Sequence, residues 1–113
     1  NNLILVFNGE IYNWRFLRSI LQKNGYKFKT ESDTEVLLKG FHFWKDKVLN
    51  MLEGMFSFGI YDLETQELFC ARDRFGMKPF YYMVRNNIFY FASEVKALLR
   101  FQGSCLLMCL VCI

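Results

Sequence analysis

The chain has 113 residues, enough for one domain with a buried core. A hydrophobic content of 53%, with 13 Phe, 6 Tyr and 2 Trp, excludes an intrinsically disordered chain. The net charge of +3 is small, and the basic residues alternate with acidic and aromatic ones. Because nucleic-acid binding needs Lys and Arg clustered on one face, no nucleic-acid partner is expected.

The sequence also lacks the patterns of secreted and membrane proteins. It has no basic region followed by an apolar segment and a cleavage site, and no apolar run of about 18 to 20 residues. The cysteines are not spaced as a disulfide framework; they are Cys70, Cys105, Cys109 and Cys112. These features predict a cytoplasmic protein with no membrane partner.

The first third of the chain predicts a strand, a helix and a second strand. The apolar run Leu3–Phe7 predicts a buried strand that stops at Asn8-Gly9. Residues 14–24 have apolar side chains at helical spacing, with Asn13 placed as an N-cap and a glycine after the last turn. Residues 26–30, YKFKT, alternate between aromatic and basic side chains, as in a half-buried strand.

A second helix is predicted from the segment Ser32-Asp33-Thr34-Glu35, which matches a capping box, to about Phe43 or Trp44. A shorter helix is predicted around residues 48–52. Strands then follow from Met55, with a turn at residues 62–66.

The rest of the chain predicts a return strand at 67–72, a turn at 73–76, and a hairpin of 79–85 and 88–92 around Asn86-Asn87. A short helix is predicted from Ser93 to about residue 100. The order of strand, helices and antiparallel strands predicts an α+β layered domain over residues 1–100. Residues 101–113 form a separate apolar, cysteine-rich tail of uncertain origin.

Three polar segments could carry chemistry. Asn8-Gly9-Glu10 is either a turn, since Asn-Gly is a strong turn signal, or a pair of donors for an oxyanion hole with a carboxylate beside it. Asp33 either stabilises the first turn of its helix or holds a cationic ligand group. Arg72, Asp73 and Arg74 predict a salt-bridged structural corner.

Two further groups have weaker signals. The spacing Cys105-x3-Cys109-x2-Cys112 resembles the iron–sulfur motif of radical S-adenosylmethionine enzymes, but the chain that would follow such a motif is absent, so a metal site is not expected. His42 has no Cys or Ser partner at a readable spacing, and it is predicted to be a surface residue.

Four blocks of sequence together resemble a known family. They are FNGEIYNWRFLRSILQKNGYKFKTESDTEVLL, LEGMFSFGIYD, ARDRFGMKPFYY and FASEVKALL. In this order they resemble the glutaminase domain of glutamine-hydrolysing asparagine synthetases, a class II glutamine amidotransferase of the N-terminal nucleophile hydrolases. Glu10 followed by Ile-Tyr-Asn favours the asparagine synthetase branch.

This resemblance implies the fold, the substrate and the roles of four residues. The fold is an αββα sandwich of layered antiparallel sheets, and the substrate is L-glutamine. The Asn8 side chain and the Gly9 backbone N–H form the oxyanion hole, and Glu10 and Asp33 hold the α-amino group of glutamine. An ATP-dependent synthetase domain is the implied partner, which would use ATP and Mg; no cofactor is implied within these residues.

The departures from the family predict an inactive fragment. The family's nucleophile is an N-terminal Cys, whereas this chain begins with Asn1-Asn2, and the segment that binds the glutamine carboxylate is not present. Absent N-terminal strands would leave an apolar sheet face uncovered, which predicts self-association. The alternative is an inactive glutamine-binding or purely structural remnant.

Overall fold

The structure is a computed structural model, and it describes residues 2–76, 78, 80–85, 87–92 and 108–109. These residues contain two antiparallel sheets and two α-helices. The elements in chain order are β1 Leu3–Ile11, α1 Trp14–Lys23, α2 Asp33–Trp44, a 3-10 helix Lys45–Asn50, β2 Gly54–Asp62, β3 Glu67–Arg72, β4 Tyr81–Arg85, β5 Ile88–Ala92 and β6 Met108–Cys109.

The main core lies between the helices and one face of the first sheet. The strand order in this sheet is β1-β2-β3, all antiparallel. Alternate residues of β2 face the helices, because successive side chains of a strand point to opposite sides. The core members, all nearly inaccessible to solvent, are Ile11, Leu17, Leu21, Val36, Leu37, Phe56, Phe58, Ile60 and Ala71.

A second sheet, of order β5-β4-β6, lies against the opposite face of the first. The ring of Phe91 packs on Gly59 of β2, where an added Cβ would come within 2.9 Å of that ring. The Phe91 ring also stacks on Phe80 at 5.4 Å between centroids. Helices, sheet and sheet thus form three layers, and the predicted α+β layered architecture is confirmed.

Strand β1 is only half buried and continues to Ile11, so the expectation of a buried strand that stops at Asn8-Gly9 was wrong. Leu3, Leu5 and Phe7 pack against the core, whereas Ile4 and Val6 point to the other side. The exposed fractions of Ile4 and Val6 are 51% and 58%. Both side chains line an open cleft of about 440 Å³ between the sheets, so this face of β1 is apolar and mostly uncovered.

Residues 26–30 do not form the predicted strand. The N–H groups of Lys29 and Thr30 donate to the Glu35 carboxylate at 2.9 and 2.8 Å. Phe28 lies between two cations, with Arg18 5.2 Å and Lys39 4.9 Å from its ring centroid. The segment is therefore a loop, because its last two backbone donors are bound by a side chain rather than by a neighbouring strand, and Phe28 is held by cation–π contacts.

The predicted capping box at α2 is formed in part. Ser32 Oγ accepts the N–H of Glu35 at 3.4 Å, as expected for the N-cap. Glu35 does not complete the box, because its carboxylate accepts from Lys29, Thr30 and Lys39 instead. These hydrogen bonds outweigh the opposing effect of burial and lower the pKa of Glu35 to about 2.

The remaining predicted helices and strands that fall on described residues are present, but their ends differ from the predicted ones. The helix at 14–24 ends at Lys23, the helix near 48–52 is the 3-10 helix, and the 79–85 strand begins at Tyr81. His42 is exposed, as predicted. The helix predicted from Ser93 lies outside the described residues, as does most of the 101–113 tail, so the domain boundary at residue 100 stays a prediction.

Candidate functional site

The segment Asn8-Gly9-Glu10 lies within β1 and is not a turn. The register pairs Asn8 with Ser57 and Gly9 with Phe56 of β2. Gly9 has φ +133°, and a Cβ at this position would lie 2.0 Å from the carbonyl oxygen of Met55. Only glycine can adopt this φ and let the neighbouring backbone come this close, so Gly9 allows β1 to pair with β2 here. The interpretation of Asn8-Gly9 as a turn was wrong.

The hydrogen-bonding pattern places the Gly9 N–H away from β2. In an antiparallel pair the N–H and C=O of one residue point to the same neighbour, and the neighbour alternates along the strand. Phe56 is the β2 partner of Gly9, and both of its backbone groups bond to Asp73 on the β3 side. The Phe56 N–H donates to Asp73 Oδ1 at 3.1 Å, and the Phe56 carbonyl accepts the Asp73 N–H at 2.8 Å. The Gly9 N–H therefore faces the free edge of β1.

Asp33 lies at this same edge. Its Oδ2 atom accepts the backbone N–H of Ile11 at 2.9 Å, so the N–H of Ile11 also points away from β2. Gly9 and Ile11 are two residues apart and face the same side, so the Gly9 donor lies about 7 Å along the strand from the Ile11 donor. The Asp33 carboxylate and the exposed Glu10 thus belong to one end of β1.

The Asn8 side chain projects from the sheet face opposite to the helices. It lines a small pocket of about 40 Å³ together with Ser57, Phe80 and Phe91. Within the described part of the chain its carboxamide makes no hydrogen bond, so its donor hydrogens are available to a ligand. Asn8 therefore points into the space between the two sheets and not into the helix-covered core.

Two residues hold the end of β1 in place, a role that the sequence analysis did not predict for either of them. Asn13 donates from Nδ2 to the Met51 carbonyl at 2.8 Å and accepts the Glu53 N–H at Oδ1, 3.1 Å away. It occupies the N-cap position of α1 without making a side-chain cap. Gly54, with φ +157°, faces the carbonyl oxygen of Glu10, which an added Cβ would approach to 2.1 Å. In the sequence, the only indication of the role of Gly54 is its position directly before the alternating residues of β2.

The corner at residues 72–76 is held by hydrogen bonds between side chains and backbone atoms, and the predicted salt bridges among Arg72, Asp73 and Arg74 stay a prediction. Arg72 donates from Nε to the Lys78 carbonyl at 2.8 Å and from Nη2 to the Gly76 carbonyl at 2.7 Å. Asp73 is 4% exposed and accepts the N–H of Phe56 and, at 3.4 Å, that of Lys78. The corner therefore fixes the start of the following loop to β2.

A family model for the glutamine amidotransferase domain matches residues 1–108. The chain belongs to this family. Its relatives include asparagine synthetase [glutamine-hydrolyzing] 1 of Bacillus subtilis, 48% identical over 99 residues, and a putative asparagine synthetase of Methanocaldococcus jannaschii, 46% identical over 94 residues. These matches cover 88% and 83% of this chain but only 16% and 17% of the relatives, so the amidotransferase domain described above corresponds to about one sixth of their length.

Solved structures give the same assignment. The glutamine phosphoribosylpyrophosphate amidotransferase of B. subtilis, complexed with ADP and GMP, superimposes with a TM-score of 0.76 at 30% identity, over 94% of this chain and 24% of that one. The predicted N-terminal nucleophile hydrolase fold of this amidotransferase domain is thereby confirmed. The resemblance to the glutaminase region of asparagine synthetases, to which the identity is higher, is confirmed as well.

Among the described residues, every helix is too short or too polar to span a lipid bilayer. No group of three or more His, Cys, Asp or Glu side chains in the described ranges could hold a metal ion. Of the tail cysteines, only the backbone of Cys109 is described, so the spacing of the three thiols is not tested.

Proposed function

We propose that this amidotransferase domain is the glutamine-hydrolysing part of an asparagine synthetase-like enzyme and supplies ammonia for amide transfer to aspartate. The observation that carries this proposal is the bond from the Ile11 N–H to Asp33. It brings a carboxylate from α2 to the strand end that carries Asn8, Gly9 and Glu10. Glutamine has a side-chain amide at one end and an α-amino group at the other. The donor pair at this strand end fits the amide carbonyl, and the two carboxylates fit the α-amino group.

The donor pair would stabilise the reacting carbonyl. Attack on the side-chain amide of glutamine places negative charge on the carbonyl oxygen, and the Asn8 carboxamide and the Gly9 N–H are both free to donate to it. The Gly9 donor is preorganised, because the close β1–β2 pairing fixes the backbone at this residue. Such donors stabilise the transition state more than the substrate and therefore raise kcat.

The two carboxylates would bind the α-amino group. An ammonium group that leaves water needs anionic acceptors in exchange, and Glu10 and Asp33 provide two. Asp33 already accepts one backbone N–H through Oδ2, which fixes the direction of the carboxylate and leaves Oδ1 for the ligand. L-Glutamine is the proposed ligand, and the nucleophilic Cys would come from a segment outside these 113 residues.

The remaining part of the enzyme would be the ammonia acceptor. The relatives are named as glutamine-hydrolysing asparagine synthetases, and most of their length lies outside the matched region. We therefore propose an ATP- and Mg-dependent synthetase domain as partner, in a cytoplasmic enzyme. The 113 residues themselves would need no cofactor.

The test is a hybrid enzyme in which this chain replaces the matching segment of B. subtilis asparagine synthetase 1. Glutamate release from glutamine is measured for the hybrid and for Asn8→Ala. We expect Asn8→Ala to lower kcat about 10²-fold or more, with a small change in KM, because an oxyanion donor acts mainly in the transition state. The control is Asn24→Ala at the exposed end of α1, where Asn24 caps the Ile20 carbonyl. A hybrid that folds but releases no glutamate, or an Asn8→Ala hybrid with unchanged kcat, would refute the proposal.

A further inference from the structure

The loop that follows β3 presents an unusually exposed aromatic side chain. Phe75 is 83% exposed, the highest fraction among the large apolar side chains in the described ranges. Its neighbour Arg74 is also exposed. Phenylalanine and arginine side chains are both enriched at protein interfaces relative to the rest of the surface.

The backbone of this loop is held firmly in place. Asp73 forms two hydrogen bonds with the backbone of Phe56, the Gly76 N–H donates to the Asp73 carbonyl at 3.0 Å, and the Arg72 guanidinium donates to the Gly76 carbonyl at 2.7 Å. Gly76 has φ +64°, and an added Cβ would come within 3.0 Å of that guanidinium. A loop ordered in this way loses little conformational entropy on association, which favours binding.

A cavity of about 240 Å³ opens beside the exposed pair. Leu49, Leu52 and Phe56 line its apolar side, and Asp73 and Arg74 line its polar side. A partner could therefore insert an apolar side chain next to Phe75 while it offers an acceptor to Arg74. Apolar anchors with a polar rim are typical of protein interfaces.

The position of the loop relates it to the proposed site. Asp73 is bonded to Phe56, and Phe56 is the β1–β2 partner of Gly9. The loop and Asn8-Gly9-Glu10 thus lie at the same end of the sheet, on either side of β2. A domain that receives ammonia released at Gly9 needs to lie at this end, since ammonia lost to bulk water does not reach an acceptor efficiently.

We propose that Arg74 and Phe75 form the docking point for the synthetase part of the same polypeptide. Its contact surface would present an apolar hollow for the Phe75 ring, rimmed by carboxylate or carbonyl oxygens for Arg74. The relatives supply the candidate occupant, because this chain corresponds to only 16% of B. subtilis asparagine synthetase 1. The inference rests on the proposed function, since it takes the occupant to be the ammonia acceptor.

The test uses the hybrid enzyme with Phe75→Ala and Arg74→Ala, and with Phe16→Ala as the matched control. Phe16 is a phenylalanine of α1 that is 63% exposed on another surface. We expect Phe75→Ala and Arg74→Ala to keep glutamate release within about twofold and to lower the asparagine formed per glutamate about fivefold or more. Phe16→Ala should change neither quantity. An unchanged ratio in both loop variants overturns the proposal.

A second measurement does not depend on activity. Trypsin cleaves after Arg74 when the loop is accessible, so a docked domain protects the Arg74–Phe75 bond. We expect slow cleavage in the hybrid and in Phe16→Ala, and faster cleavage in Phe75→Ala. Equal rates in the three proteins overturn the docking proposal even where glutamate is released.

The outcomes separate the two proposals. If the folded hybrid releases no glutamate, the proposed function fails, and trypsin protection alone decides whether the loop is covered. If light scattering shows a dimer that Phe75→Ala dissociates, the occupant is a second copy and the docking proposal is overturned. Should the hybrid not fold, the same substitutions and assays are applied at the aligned positions of the unmodified B. subtilis enzyme.

Discussion

The Asp33 carboxylate accepts the backbone N–H of Ile11 at 2.9 Å, so the first turn of α2 and the last residue of β1 are held together. Twenty-two positions of sequence separate these residues. The bond has two consequences: it satisfies a strand-edge donor, and it places an anion beside the proposed glutamine site. Substitutions can separate these two roles.

Asp33→Asn should weaken glutamine binding without unfolding the domain. The amide oxygen of Asn can still accept from Ile11, so we expect a stability loss within about 0.5 kcal/mol, whereas the lost charge should raise the glutamine Kd about tenfold or more. Asp33→Ala removes both functions and should cost about 1–3 kcal/mol of stability. Calorimetric titration and urea unfolding measure the two effects, with the exposed Thr34→Ala as control. Unchanged glutamine affinity in Asp33→Asn would reduce Asp33 to a structural residue.

Gly9→Ala should destabilise the domain more than Gly25→Ala. Both glycines have positive φ, +133° and +93°, but an added Cβ meets the Met55 carbonyl at Gly9 and nothing within 4 Å at Gly25. We expect a cost of about 1 kcal/mol from strain alone at Gly25 and about 3 kcal/mol or more at Gly9, where β1 and β2 must separate. Urea unfolding midpoints compare the two variants. Equal costs would contradict the close approach of the two strands.

The hydrogen bonds to Glu35 predict a specific loss of stability in acid. The pKa of Glu35 in the folded protein is about 2, below the ordinary value of 4.5. Since the folded state favours the ionised form, this stabilisation is complete above about pH 4.5 and is lost as the pH falls towards 2. Urea unfolding between pH 6 and 2 should show a shallower pH dependence in Glu35→Gln than in the unchanged chain. The control is Glu31→Gln, at an exposed position of the preceding loop, which should retain the original dependence.

The uncovered face of β1 predicts self-association of the isolated polypeptide. Ile4 and Val6 are more than half exposed at the apolar cleft, at 51% and 58%. Ile4→Thr with Val6→Thr keeps the β-branched shape that favours a strand and removes apolar surface, so the apparent mass in light scattering should fall towards that of a monomer. Leu63→Thr, an exposed turn position, is the control. If the double variant associates as strongly as the unchanged chain, the cleft is not the contact surface.

The polypeptide of 113 residues should bind glutamine without hydrolysing it. It retains Asn8, Gly9, Glu10 and Asp33, but its only cysteine before position 105 is Cys70, which lies within β3 opposite Gly59. We therefore expect heat of glutamine binding in a calorimeter and no glutamate release above a buffer blank. Release of glutamate would contradict this prediction, and the absence of binding would favour the structural-remnant alternative.

Local sequence patterns determined the helices, the β2–β3 hairpin and the family. Ser32 and Glu35 marked the start of α2, apolar spacing marked α1 and β2, and the four family blocks predicted the family, while the roles of the site residues stay a prediction. These signals are local, because side-chain periodicity and capping depend on residues within a few positions of each other.

Only the tertiary structure decided how Asn8-Gly9 and residues 26–30 use their backbone groups. Asn-Gly is a turn signal by itself, yet pairing with Ser57 and Phe56, nearly 50 positions away, makes it part of a strand. Residues 26–30 alternate as a strand does, yet the N–H groups of Lys29 and Thr30 donate to the Glu35 carboxylate rather than to a neighbouring strand. The physical reason is common to both: every backbone donor needs an acceptor, and the acceptor that it meets depends on which distant segments fold against it.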